Sequence, residues 1–248
     1  MNPRVLLLDI ETAPSIGYTW GPKWETSIIE FIEPWYMLSM AYKWLGDKKV
    51  DVIAICDYPG YKPGNKDKEL TEDIIALINK ADIVIAHNGD RFDIKKINTR
   101  ALIHGIKPPE PYKTVDTKKL AKHKFGFDSN SLNDLAKSLG KKPKVETGGF
   151  SLWLGCIGGD MKAWRKMKKY NKRDVALLEE IYLIMRPWST THPDMSRYYC
   201  EPVCKKCGSK KLVRQGIKNR TYGKAQGFQC KDCFAWSYFN IKDTSSGA

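Results

Sequence analysis

Residues 5–10 open the chain's hydrophobic pattern with Val5-Leu6-Leu7-Leu8, after which Asp9-Ile10-Glu11-Thr12 alternates polar and apolar. As a strand, this stretch puts Asp9 and Glu11 on one face and turns Ile10 back to the core. Residues 13–35 are rich in Pro, Gly and aromatics (Trp20, Trp24, Trp35) and read as a loop. Its rings either anchor the core or stack on nucleic-acid bases. Residues 36–45 and 50–57 carry two further strand patterns, joined by the turn-like Gly46-Asp47-Lys48-Lys49. With the first strand they make an antiparallel meander. Leu70, Ile74, Ile75, Leu77 and Ile78 recur at helical spacing and predict a helix over 68–80. The continuous apolar run Ile83-Val84-Ile85-Ala86 fits a buried parallel strand, which makes that helix a crossover.

Further along, a helix is expected over 93–103 and a proline-bearing connection over 107–113. Thr114-Val115-Asp116-Thr117 starts a short strand or turn, and Asp116 is read as a helix cap in preference to a secondary site contact. Ser129-Asn130-Ser131-Leu132 opens a helix that Gly140 stops, and 147–159 reads as a Gly-rich loop over the site, with Phe150, Trp153 and Leu154 in it. Residues 160–185 form a long helix, patterned through Trp164, Met167, Val175, Leu177, Leu178, Ile181 and Tyr182. The fold class is therefore α/β: a mixed sheet of three antiparallel strands, then parallel ones, flanked by helices.

Charge narrows the partners. The chain carries 42 Lys and Arg against 28 Asp and Glu, a formal net charge of +14, which suits an anionic polymer, most simply nucleic acid. A merely soluble basic protein is the bland alternative. A hydrophobic fraction of 42% and an aromatic fraction of 11% suffice for a sizeable core and argue against disorder. No apolar run is long enough for a membrane span and no signal-peptide pattern opens the chain. Four of the seven cysteines fall in two Cys-x-x-Cys pairs, which suits metal binding in a reducing compartment; a cytoplasmic location is expected.

The acids then carry the chemistry. Two like charges on one strand face repel unless a cation lies between them, and carboxylate oxygens suit Mg²⁺ or Mn²⁺. A solvated strand edge is the alternative. His87-Asn88-Gly89-Asp90-Arg91-Phe92-Asp93 follows the buried strand, where ligands gather in α/β sheets. For Asp90 or Asp93 alone, favourable placement at a helix N-terminus is a sufficient explanation. Tyr170 and Asp174, four residues apart, share a helical face. Lys141, Lys142 and Lys144 form either a solvated face or a phosphate contact.

Taken together, Asp9-Ile10-Glu11-Thr12, His87-Asn88 through Phe92-Asp93, and Tyr170-Asn171-Lys172-Arg173-Asp174 resemble the three motifs of the DEDD superfamily of 3′→5′ exonucleases, in its tyrosine-bearing branch with an RNase H-like fold. The resemblance spans residues 1–186 and implies two Mg²⁺ or Mn²⁺ ions held by Asp9, Glu11, Asp93 and Asp174. It implies that Asp9 bridges both ions, that Glu11 and Asp174 support the metal near the nucleophile, and that Asp93 anchors the other. Tyr170 then orients the attacking water, while Thr12, Asn88 and Phe92 contact the terminal nucleotide. The expected activity is release of nucleotides from single-stranded 3′ ends, with DNA favoured. A catalytically silent nucleic-acid-binding protein on a nuclease fold and an RNA-trimming exonuclease are the alternatives.

After a connection over 189–199, Cys204-Lys205-Lys206-Cys207 and Cys230-Lys231-Asp232-Cys233 resemble a zinc ribbon with one structural Zn²⁺ on four thiolates. The interval 208–229 exceeds the usual ~15–20 residues and is expected to be absorbed by a β-hairpin. Lys210, Lys211, Arg214, Lys218, Arg220 and Lys224 with Tyr222, Phe228, Trp236, Tyr238 and Phe239 suit nucleic acid, and a protein-docking ribbon is the alternative. Cys200 is a spare thiol at the wrong spacing for a knuckle. The expected organisation is an exonuclease domain over 1–188, a linker over 189–199, the ribbon over 200–242 and a disordered tail over 243–248.

Overall fold

The computed structural model describes residues 2–21, 27–64, 67–143, 147–221 and 223–241, without the Arg220 side chain. Trp24, Lys144, Tyr222 and the tail 243–248 lie outside the described residues. The chain divides into two compact units, Arg4–Ile181 and a second formed by Met1–Pro3 with Tyr182–Ala248.

The first unit runs β1 (Val5–Thr12), β2 (Ile16–Tyr18), β3 (Glu30–Glu33), β4 (Met37–Trp44), β5 (Asp51–Ala54), α1 (Lys68–Ile78), β6 (Ile83–Ala86), α2 (Asp93–Ile103), β7 (Lys113–Asp116), α3 (Thr117–Lys124), α4 (Leu132–Ser138), α5 (Ser151–Ile157) and most of α6 (Met161–Met185). Its five-stranded sheet has the order β5-β4-β1-β6-β7. β1 pairs antiparallel with β4 and parallel with β6, so it is the strand on which the sheet changes direction. A strand covered on both faces has no use for alternation. That is why Leu6, Leu7 and Leu8 are all fully buried, and why polar residues enter only from Asp9 onward. The crossover α1 buries Leu70, Ile74, Ile75 and Ile78, the stripe the spacing predicted.

Three elements differ from expectation. The strand expected over 50–57 ends at Ala54, because the Asp57 carboxylate accepts the Ala54 N–H at 3.1 Å and folds the chain into a 3-10 turn, Ile55–Asp57. Part of the expected loop over 13–35 is a two-stranded sheet, β2 with β3, whose residues are largely exposed and leave little hydrophobic signature. The expected Gly-rich loop over 147–159 contains α5, which buries Leu152 and Cys156 one turn apart. A Cβ on Gly155 would stand 2.7 Å from the Ala163 Cβ of α6, so glycine there permits close helix approach rather than flexibility.

One buried ion pair ties α1, α2 and β4 together. Arg100 donates from Nε to Asp67 Oδ2 at 2.7 Å and from a terminal nitrogen to Oδ1 at 2.5 Å. The same carboxylate accepts the Met37 N–H at 2.8 Å and lies 2.7 Å from His104 Nε2.

In the second unit, one 3-10 turn (Arg186–Trp188) precedes the expected connection and another (Met195–Tyr198) lies within it. Buried His192 stacks on Tyr182 with ring centroids 5.9 Å apart. Its Nδ1 faces the Pro193 carbonyl at 2.7 Å and so carries the proton, leaving Nε2 to accept from the Tyr182 hydroxyl at 2.8 Å. Burial pushes His192 down to about 4. A three-stranded sheet follows, β8 (Leu212–Arg220), β9 (Gly223–Cys230) and β10 (Trp236–Asn240), in the order β10-β9-β8. The expected hairpin between the knuckles is the β8–β9 pair. Among the described residues, no helix is long and apolar enough to cross a membrane.

Candidate active site

The carboxyl-terminal half of β1 presents Asp9 and Glu11 on one face, and the register with β4 sets Ala41 opposite Asp9 and Ser39 opposite Glu11. Small partners across the ladder leave the acids room to project. From α6, Asp174 joins them, and oxygens of Asp9, Glu11 and Asp174 all lie within 4.8 Å of one another. Asp174 is 1% exposed. Three carboxylates this close, one out of water, repel strongly in a low dielectric. A hard divalent cation offsets that repulsion, and an all-oxygen donor set is the kind Mg²⁺ and Mn²⁺ take.

Asn171 holds the cluster in place. Its amide Nδ2 donates to Asp9 Oδ2 at 2.7 Å and to the Asp9 backbone carbonyl at 3.1 Å, while Oδ1 accepts from the Ser39 hydroxyl at 3.0 Å. Neither Asn171 nor Ser39 was singled out from the sequence. Both had a legible signal, being polar residues inside apolar patterns: Ser39 in Met37–Ala41, and Asn171 on the stripe between Met167 and Leu178. Tyr170, next to Asn171, stacks edge-on against Trp153 of α5 with centroids 6.1 Å apart. Burial, reinforced by Asp174, Glu11 and Asp9, pushes its phenol well above the ordinary value, and the hydroxyl hydrogen-bonds Asp174.

Asp93 takes its place in the first turn of α2, and its Oδ1 accepts the backbone N–H of Ile10, between the two β1 acids, at 3.1 Å. It is buried, and it is not among the three acids whose oxygens all lie within 4.8 Å of one another. Asn88 adopts a left-handed backbone (φ 67°) and donates its N–H to Asp116 Oδ1 at 3.0 Å. Asp116 also accepts from the N–H groups of Lys118 and Lys119, so it caps α3 as expected. His87 braces the same corner, with Nδ1 2.9 Å from Thr117 Oγ1 and Nε2 3.0 Å from the Asn130 carbonyl. Phe92 is partly exposed at the head of α2. Thr12 lines a cleft of about 380 Å³ with Ala13, Pro14, Gly149, Phe150 and Trp153.

A family model for the RNase H superfamily matches residues 44–186, more than half the chain. The chain belongs to the RNase H superfamily. No curated protein was found to match it. The superfamily match takes in Asp93, Tyr170 and Asp174 and begins downstream of β1, so Asp9 and Glu11 stand on the observed geometry alone. Membership makes a nuclease-type function on nucleic acid the coarse assignment, and nucleases of this superfamily typically use divalent metals.

The RNase H-superfamily chain carries a second ligand group in its Tyr182–Ala248 unit. The sulfurs of Cys204, Cys207, Cys230 and Cys233 all lie within 4.8 Å of one another. Cys204 and Cys233 sulfurs are 3.6 Å apart, as are those of Cys207 and Cys230. That is far beyond a disulfide's ~2.05 Å. It is close to the edge of a tetrahedron with metal–sulfur bonds of about 2.3 Å. Cys200 is exposed and outside the group.

Proposed function

We propose that this chain is a metal-dependent 3′→5′ exonuclease that releases nucleotides from single-stranded ends, DNA favoured. The observation that supports it most is the convergence of Asp9, Glu11 and Asp174 with Tyr170 hydrogen-bonded at their edge. Asp9, Glu11 and Asp174 would hold the catalytic Mg²⁺ or Mn²⁺, with Asp93 beside Ile10 completing the set for a pair of ions. When bound, such ions activate water and neutralise charge on the scissile phosphate. The protein's own groups do the positioning. Asn171 fixes the rotamer of Asp9, and Tyr170 orients the attacking water. The cleft of Thr12, Phe150 and Trp153 receives the terminal base, whose face the exposed Phe150 ring can cover. Asn88 and Phe92 are assigned to the same terminal nucleotide.

The four cysteines are assigned to one structural Zn²⁺, because four convergent thiolates are a soft donor set with no room left for substrate. Elemental analysis of the reduced, folded protein should return one zinc per chain. A chain free of zinc yet folded would remove that assignment.

Activity is tested with 5′-labelled single-stranded and duplex DNA and RNA in Mg²⁺, in Mn²⁺ and in metal-depleted buffer. A metal-dependent ladder that shortens from the 3′ end, strongest on single-stranded DNA, is the expected result. Early appearance of labelled mononucleotide would overturn the polarity. A ladder strongest on RNA would move the substrate to RNA, and no cleavage in either metal would leave a binding protein on a nuclease fold.

A further inference from the structure

The two Cys-x-x-Cys knuckles solve the same backbone problem in opposite ways. In each, the residue after the second cysteine enters the left-handed region: Gly208 at φ 75° and Phe234 at φ 60°. Glycine adopts that conformation freely, whereas a bulky L-residue does so at a cost. Gly208 is also closed in, since a Cβ there would stand 2.8 Å from the Tyr199 hydroxyl. Phe234 instead projects its ring outward and is 70% exposed. The second knuckle uses this backbone, since the Phe234 N–H donates to the Cys230 carbonyl at 3.0 Å, but its packing uses nothing of the exposed ring. A bulky exposed ring at a position where glycine would serve without strain is the kind of feature a ligand explains.

The ring has company. Phe234, Trp188, Trp236 and Tyr238 line one groove of about 840 Å³ within the Tyr182–Ala248 unit. Trp188 is 65% exposed and Trp236 49%. Trp236 and Tyr238 lie on the same face of the edge strand β10, their rings nearly parallel (15°) with centroids 6.2 Å apart. Lys205 and Lys206 complete the polar wall, and among the described residues the lining holds no carboxylate. Lys205 Nζ is 3.4 Å from Asp194 outside the groove, and Lys218 Nζ lies 5.5 Å over the Tyr238 ring. Flat aromatic faces set beside lysines, with no acid among them, complement a ligand that has both π-faces and negative charge.

We propose that this groove binds the unpaired bases of single-stranded nucleic acid, stacked on Phe234, Trp188 and Trp236 with the backbone phosphates along Lys205 and Lys206. The assignment rests on the nuclease reading only for its choice of nucleic acid as the anionic polymer. It is a second contact, separate from the acidic centre, and it reads stacking rather than sequence. Bases in a duplex have no free faces to offer, so the groove selects unpaired strand.

The test measures binding of fluorescent oligo(dT) and oligo(rU) to the full zinc-loaded chain without added Mg²⁺ or Mn²⁺. Without divalent ions the acid cluster repels phosphate, so binding at the groove dominates the signal. Phe234→Gly relieves the strained backbone, so its melting temperature should equal or exceed the parent's while oligonucleotide affinity falls by roughly tenfold or more. Trp236→Ala, on an exposed edge position, should show the same loss with unchanged zinc content. Parental affinity in both variants overturns the proposal. So does equal loss of duplex and single-strand binding, or tight binding of a proline-rich peptide that oligonucleotide does not displace. Cleavage lost with groove binding intact counts against the nuclease reading alone, and the reverse counts against the groove alone.

Discussion

Asn171 uses both ends of its amide on the acidic face, donating to Asp9 and accepting from Ser39. Groups that orient metal ligands are costly to lose, typically ~10–100-fold in metal affinity or activity. Asn171→Ala should therefore cut cleavage by about that factor and raise the Mg²⁺ concentration needed for half-maximal rate, which a metal titration of the rate would show. A drop in rate with an unshifted metal requirement would mean that Asn171 does something else. Asp174→Asn makes the opposite trade. It should abolish cleavage yet raise the melting temperature of metal-free protein, because one of three mutually repelling carboxylates becomes neutral. For a chain of this size each ~1 kcal/mol of relief reads as about 2–4 °C. A fall in the metal-free melting temperature would contradict the repulsion argument.

Among the elements, α2 is held by the Arg100–Asp67 pair rather than by apolar area alone. Arg100→Met strands a buried carboxylate and should cost about 3–5 kcal/mol in denaturant unfolding. The double change with Asp67→Leu should cost less than Arg100→Met alone. The turn at 192–193 is sensitive to acid for a related reason. His192 is neutral and buried, with its folded value down at about 4, because burial, Lys206 and Arg186 all disfavour the charge. Above its ordinary value of about 6.5 both folded and unfolded states are neutral and pH has no effect through this group. Between pH 6.5 and 4 the unfolded chain gains the proton first, so stability is lost as pH falls, by up to about 3 kcal/mol. Comparing His192→Gln with the parent across that window should remove this part of the slope.

Elements with strong periodicity were legible, and those set by a single polar contact were not. β6 and α2 coincide with their expected limits, β6 because its apolar run is bounded by polar turns. β5 stops short because one carboxylate, Asp57, captures a backbone N–H, which no pattern of apolar positions records. α5 was hidden by the glycines on either side of it and by Gly155 within it, which serves helix contact. Within the site, Asp9 and Glu11 were visible because like charges on one strand face are expensive, whereas Asp93 and Asp174 entered through the motif resemblance. Asn171 was obscured by being read as part of a motif's spacing instead of as a polar residue on a buried stripe.

At the scale of the whole molecule, the proposed zinc makes the Cys₄ group a staple of the smaller unit, with Ala235 and the partly buried Leu212 packed around it. Cys204→Ser should make the segment after residue 182 sensitive to limited protease while the Arg4–Ile181 unit persists. Protection of both units in that variant would show that the second folds without the four-thiolate site. The sheet order has one more consequence, for biosynthesis. β1 is central, yet its two neighbours and the helix that carries Asp174 are all made after it. As the ribosome proceeds, Val5–Leu8 waits as an uncovered apolar strand of the type that nascent-chain chaperones bind. The three-acid cluster is complete only once α6, which brings Asp174, has been made.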